Sequence, residues 1–268
     1  MRFPILRGVI ERRMLVNYRV EPEVLARQLP APFEPKLYAG RAVVGFCLIR
    51  LRGVRPRGFP ELLGLRSENA AQRAAVRWTQ AGVSGDGVYI RRRDTNSRLN
   101  TLAGGLLVPG EHHHARFDVQ ETIDKLAVEV ASDDGETRIA VRARLTKTWP
   151  ADSIFETCEA ASQFFAAGSL GYSAIGDVKT FQGLESRCRT WHAEPLSVEE
   201  VRSSYFDDSA IFPPGSIALD NALLMREIQH EWIGRADLCC GAAIATPAAV
   251  VAGSPAEEPV PLPGLAAP

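Results

Sequence analysis

Apolar residues alternate with polar ones over long stretches of this chain, most plainly between residues 115 and 145. Ala115, Phe117 and Val119 interleave with Arg116, Asp118 and Gln120. Leu126, Val128 and Val130 repeat the pattern, as do Ile139, Val141, Ala143 and Leu145 against Arg138, Arg142 and Arg144. A period of two belongs to strands with one wet face, and Asp133-Asp134-Gly135 supplies a hairpin turn. This stretch predicts an antiparallel meander. Residues 9–20 alternate imperfectly and predict another strand. Arg41–Arg52 carries a nearly continuous apolar run, which suits a strand buried on both faces or lining an apolar cavity. Further strands are expected at Ala74–Thr79, Val88–Ile90, Leu184–His192 and Gly215–Glu231, with Ser67-Glu68-Asn69 as a polar approach to the first of these.

Helical spacing is rarer. Pro22 opens a short helix through Val24, Leu25 and Leu29 that stops at Pro30. Ser153 to Phe165 carries an apolar stripe of Ile154, Cys158, Ala161 and Phe165 behind a capping box of Ser153 and Glu156. A third helix is expected after Asp94 as N-cap, with Leu99, Leu102, Ala103 and Leu106 in phase, loosened by Gly104-Gly105 and ended by Pro109-Gly110. The strand count exceeds what one flat sheet holds comfortably, so a mainly antiparallel α+β domain forming a barrel or two stacked sheets is expected over residues 1–238. From Cys239 the chain turns to Ala, Pro, Val and Gly with little charge, and 239–268 is expected to be a disordered tail.

Composition narrows the chemistry. The 268 residues are 46% hydrophobic and 24% charged, with a net charge of −1. That balance offers no field for nucleic acid or an anionic membrane. The basic residues are 27 Arg and only 4 Lys (Lys36, Lys125, Lys147 and Lys179), so lysine chemistry has four candidates. Cys47, Cys158, Cys188, Cys239 and Cys240 form no C-x-x-C pair, so free thiols in a reducing cytoplasm are expected. Arg2, Arg7, Glu11, Arg12 and Arg13 interrupt any signal-peptide apolar core, and Cys239–Gly253 is too short to span a bilayer.

The densest chemistry lies between Gly87 and Phe117, GVYIRRRDTNSRLNTLAGGLLVPGEHHHARF. Strand alternation places Arg92 with Val88 and Ile90, and Arg91 and Arg93 with Tyr89. Asp94 is a local partner for one of these arginines, and Arg98 lies one helical turn beyond. They are either an Arg–Asp network tying strand to helix, or an arginine that holds a substrate carboxylate. Among Glu111-His112-His113-His114, His112 and His114 share a face. They suit packing, a substrate-facing acid–base role, or metal; for metal, no third ligand stands at a recognised spacing. Glu227, His230, Glu231 and Glu68-Asn69 are polar groups near apolar strands, more often satisfied than catalytic. No P-loop, dinucleotide fingerprint or nucleophile elbow is present.

The segments MRFPILRGVIERRMLVNYRVEPEVLARQLPAPF, LRSENAAQRAAVRW, GVYIRRRDTNSRLNTLAGG and VPGEHHHARF, with SLGYS and SSYFDD, carry a further signal. Taken together they resemble the YqjF-like family, DUF2071, a domain of unknown function within the acetoacetate-decarboxylase-like superfamily. The resemblance implies antiparallel sheets curled into a cone or barrel around an internal cavity. It also implies a Schiff-base lysine after a Gly-Phe-Pro-like turn, with an arginine and a glutamate that hold and polarise the substrate. The comparable turn here is Leu106-Leu107-Val108-Pro109, followed by Gly110-Glu111-His112, and no lysine stands within ten residues. Neither Glu nor His supplies iminium chemistry.

The expectation is therefore a small-molecule enzyme acting on an oxo- or hydroxy-acid, or another polarised carbonyl compound, without cofactor or metal. Arg92, Arg93, Asp94, Arg98 and Glu68 would bind the substrate; Glu111, His112 and His114 would move protons. The competing expectations are a cavity-containing carrier or sensor and a structural subunit. Small molecules are the expected partners, and pairing of edge strands leaves a homodimer open.

Overall fold

The computed structural model describes residues 4–102, 110–176 and 180–239. Leu106–Pro109, Gly104-Gly105, Lys179 and the tail from Cys240 lie outside these. The described chain is dominated by strands. In order they are β1 (Leu6–Val20), β2 (Phe33–Pro35), β3 (Leu37–Tyr38), β4 (Arg41–Pro56), β5 (Leu65–Gln80), β6 (Val83–Thr95), β7 (His112–Glu121), β8 (Lys125–Ser132), β9 (Arg138–Leu145), β10 (Leu170–Ile175), β11 (Thr180–Cys188), β12 (Glu194–Ser203) and β13 (Ile217–Cys239). The helices are α1 (Pro22–Ala26), α2 (Arg98–Leu102) and α3 (Cys158–Ala167). None of the described helices is long and apolar enough to cross a membrane.

All thirteen strands join one sheet, twelve of them along the path β11-β10-β6-β7-β8-β9-β12-β13-β1-β4-β5-β2 and β3 beside β4. Its pairings return on themselves through β5–β6 and β11–β13. Two pairings, β10–β6 and β6–β7, are parallel, and the others are antiparallel. The meander appears as β7–β8–β9, with Phe117 opposite Val130 and Val128 opposite Val141.

Alternation gives the long strands two apolar faces. Met14, Val16, Val44, Phe46, Leu48, Ala74 and Val76 point into a main core shared with Leu126, Val128 and Val141 of the meander. Leu15, Val43, Cys47 and Ala75 face the other way and pack under α3 and the turn before it, against Phe155, Ala161 and Phe165. The two-sided burial expected of Arg41–Arg52 arises this way.

Three local expectations are corrected. α3 begins at Cys158, not Ser153, because Thr157 caps it by accepting from the Ala160 N–H. Ser153 instead donates to Asp220 (2.8 Å) and Glu156 accepts from the Tyr38 hydroxyl (2.7 Å), so no capping box forms. Asp94 lies inside β6 and caps nothing; the Ser97 hydroxyl accepts from the Asn100 N–H at the start of α2. β5 starts at Leu65, so Ser67, Glu68 and Asn69 lie within a strand rather than ahead of one.

Candidate functional site

A cavity of about 250 Å³ lies on the α3-facing side of the sheet, where β4, β5, β6 and β7 run together. One register row crosses all four strands: Cys47 opposite Ala71, Ala71 opposite Arg93, and Arg93 opposite His112. Directly opposed residues share a face, and all four positions except Ala71 carry chemistry. Ala71 lines the same cavity. A second row, Pro56–Leu6–Trp232, closes the far end. Ile49, Leu51, Val54 and Leu65 lie between, while Ser67, Asn69 and Asn100 bring polar atoms to the wall.

A bulge decides which arginine faces this cavity. Gln72 pairs with Arg92 but Arg73 pairs with Ile90, so Arg91 is an extra residue. An inserted residue reverses the faces beyond it. Arg92 and Asp94 therefore share the face of Tyr89, and Arg93 shares the face of Val88 and Ile90, the reverse of simple alternation. Arg91 turns its guanidinium over the Tyr205 ring (4.3 Å) and donates to Gln72.

Arg92 and Asp94 are a structural pair. Asp94 is 1% exposed and takes Arg92 at 3.0 Å and the Thr137 hydroxyl at 3.0 Å. Arg92 also reaches both oxygens of Asp134, at 2.9 and 2.7 Å. These contacts occupy the Asp94 carboxylate although the residue borders the cavity.

Arg93 differs. Its Nε donates to Ser173 (3.2 Å), and among the described residues no carboxylate lies within salt-bridge distance of it. Burial lowers its pKa to about 10, partly offset by the nearby Cys47 thiol. A desolvated guanidinium without an anion is costly, and an anionic ligand would supply the missing partner. Arg13 reaches the same thiol from β1, donating to Cys47 Sγ at 3.4 Å.

His112 stands beside it. Its Nδ1 faces the Gly110 carbonyl at 3.2 Å, which makes Nδ1–H the donor and leaves Nε2 as an acceptor without a partner among the described residues. Burial first, then the charge of Arg93, lowers its pKa to about 4, against the opposing pull of the Gly110 carbonyl. Gly110 is required here: φ is +89°, and a Cβ would fall 2.6 Å from the Cβ of Ser173, the residue that holds Arg93.

The other expected site residues lie elsewhere. Glu111 and Arg98 are exposed and outside the cavity lining. His114 is held by Asp133 (2.8 Å) and His113 approaches Asp134 (3.3 Å). His112 and His114 therefore do not converge, and among the described residues no group of three or more His, Cys, Asp or Glu side chains is placed to hold a metal.

Glu68 sits in a separate charged recess of about 510 Å³, lined also by Arg12, Arg50, Glu121 and Arg226. Arg12, 1% exposed, contacts Glu68 at 2.5 Å and Glu121 at 3.3 Å; Arg50 contacts the same two at 2.6 and 3.3 Å. An arginine and a glutamate thus stand together, but they neutralise one another. Ser67 borders both compartments. Neither lining contains lysine. Sequence reasoning missed Arg12, Arg50, Glu121 and Cys47, because each sits in an ordinary strand pattern and only the long-range register assembles them.

In fold, the chain is similar to acetoacetate decarboxylase from Legionella pneumophila, with a TM-score of 0.56 and 13% identity, covering 87% of this chain and 88% of that one. It is similar to an acetoacetate decarboxylase-like enzyme from Sphingomonas wittichii (TM-score 0.54, 10% identity, 88% and 92% covered). It also resembles the enduracididine biosynthesis enzyme MppR complexed with pyruvate (0.52, 10%, 88% and 90%). No curated protein matches it in sequence. The sequence does match DUF2071, described as an uncharacterized conserved protein, over residues 9–219. With that match spanning most of the chain and the fold shared with acetoacetate decarboxylase, this protein belongs to the DUF2071 family.

Proposed function

We propose that this chain is a small-molecule enzyme acting on an oxo- or hydroxy-acid, or a similarly polarised carbonyl compound, by acid–base chemistry of the lyase, dehydratase or isomerase kind. The observation that carries this reading is Arg93: a half-buried cation without a carboxylate partner among the described residues, in register with a neutral histidine on the wall of an apolar cavity. We also read the sheet as curled into a cone or barrel, a reading supported by pairings that return on themselves.

In this mechanism the substrate carboxylate docks on the terminal nitrogens of Arg93. His112 Nε2 removes a proton from the carbon next to the carbonyl. The C–H bond breaks, its electron pair moves to the carbonyl oxygen, and an enolate and an imidazolium form. The imidazolium then returns the proton to carbon, giving an isomerised or exchanged product, or to a departing hydroxyl, giving water and an alkene. The Asn100 amide, on the same wall, is available to the enolate oxygen. A histidine with pKa about 4 is a weak base. A bound anion offsets the Arg93 charge and raises it towards the working range, so base strength arrives with the substrate. Neither of these two linings holds a lysine amine for the iminium route. The MppR enzyme, described as complexed with pyruvate, lends support to a small carbonyl acid as the substrate class.

One observation favours a second reading, a carrier: most of the lining is apolar. Proton exchange separates the two. Incubation with 2-oxo acids in D2O, followed by proton NMR, should show protein-dependent loss of the C3 proton signals, abolished in His112→Gln with binding retained. Tight binding with no exchange in the wild-type protein would favour the carrier.

A further inference from the structure

The cavity's polarity is graded along one direction, and this gradient specifies the ligand more closely than the presence of an anchor does. Resting on the reading of Arg93 as an anion anchor, we propose that the site selects 2-oxo monocarboxylates with an extended apolar side chain, and discriminates against both pyruvate and dicarboxylates.

The polar end is the β6–β7 side, with Arg93 and His112. Moving across the sheet, β5 contributes Ala71 and then Asn69 and Ser67, whose side chains bond to one another (2.9 Å), and β4 contributes Cys47, Ile49, Leu51 and Val54. Neighbouring strands are spaced by about 4.8 Å, so two steps from β6 to β4 cover roughly 10 Å. β1 and β13 then close the space with Leu6 and Trp232. A three-carbon acid held at Arg93 would leave that apolar length uncovered. A volume of about 250 Å³, at about 30 Å³ per water, corresponds to some eight waters, which a medium-length chain or an aromatic ring can displace.

A second carboxylate has no seat. The other lining cation, Arg55, is engaged by the carbonyls of Gly53 (2.7 Å) and Phe59 (3.1 Å) and lies 3.8 Å from Glu61. The lining carboxylate, Asp94, is neutralised by Arg92. A dicarboxylate would therefore bury one charge against Leu51 and Val54 without compensation.

The test is calorimetric titration of the full chain with pyruvate, 2-oxobutanoate, 2-oxohexanoate, phenylpyruvate and 2-oxoglutarate, and with the methyl ester of 2-oxohexanoic acid. Affinity should rise about fourfold per added methylene, so 2-oxohexanoate should bind on the order of fiftyfold more tightly than pyruvate. Phenylpyruvate should fall with the longer acids, and 2-oxoglutarate should bind more weakly than 2-oxohexanoate. The ester should lose at least tenfold, as should the acid on Arg93→Met; the ester comparison stands if that variant does not fold. Equal affinities along the series, with ester and Arg93 dependence intact, would overturn the selectivity and leave the anchor standing. A length-graded series in which the ester binds as well as the acid would overturn the anchor itself. Preference for 2-oxoglutarate, or binding of none of these compounds, would overturn the proposal outright.

Discussion

Arg93 and His112 are register partners across the parallel pairing of β6 and β7, and both face the apolar cavity. Their proximity is electrostatic as well as geometric, since the Arg93 charge helps to hold the histidine pKa down at about 4. Arg93→Met should therefore raise the His112 pKa while leaving it below the ordinary value near 6.5, because burial is the larger cause. Titration of the His112 ring signals by NMR checks this. An unchanged pKa in the variant would mean that the two side chains do not sense one another.

Asp94 tests the structural half of the arginine run. Asp94→Asn keeps an acceptor for Thr137 but removes the charge facing Arg92. Breaking a buried ion pair costs ~3–5 kcal/mol. Asp134 continues to hold Arg92, so a loss nearer 2–3 kcal/mol (about) is expected from this pair. Denaturant unfolding measures it, and stability within error of wild type would remove Asp94 from the fold's supports.

His230 sets an acid limit on stability. It is 3% exposed, and burial, with the charge of Arg13 second, lowers its pKa to about 4. An unfolded histidine titrates near 6.5, so between these values the unfolded chain binds the extra proton and stability rises with pH. The contribution is present above about pH 6.5 and is lost as the pH falls towards 4, by roughly 3 kcal/mol. His112 acts in the same direction. Replacement of His230 by Phe should flatten the curve in that window; an unaltered pH dependence of unfolding would contradict the assignment.

Amine chemistry should be absent. Lys36 pairs with Asp86 (2.9 Å), and Lys125 and Lys147 are exposed. Borohydride reduction in the presence of pyruvate or acetoacetate should leave the intact mass unchanged. A stoichiometric adduct on any of the four lysines, Lys179 included, would restore a Schiff-base route.

Much of the fold was legible in the alternation of apolar residues. The meander, the two-sided β4 and the hairpin at Asp133–Gly135 follow from local pattern, which a period of two reports faithfully. The site was legible only in part. Arg93, His112 and Asp94 stand out by residue type, but the orientation of Arg93 and Asp94 depends on the bulge at Arg91, which lies opposite β5 and leaves no local sign. For the same reason Arg92 and Arg93 exchanged their expected faces. Glu68 carried a recognisable polar signal, yet its partners Arg12, Arg50 and Glu121 come from other strands. Asp94 read as a cap because it precedes a helical pattern, whereas strand pairing with β5 continues through it and hands the cap to Ser97.

The most direct measurement is a crystal structure of the chain with 2-oxohexanoate bound. The carboxylate should lie on the terminal nitrogens of Arg93, with C3 facing His112 Nε2 and the alkyl chain running over Ile49 and Leu51 towards Trp232. An acid seated instead in the recess between Arg12 and Glu68, or one whose carboxylate points away from Arg93, would contradict the account.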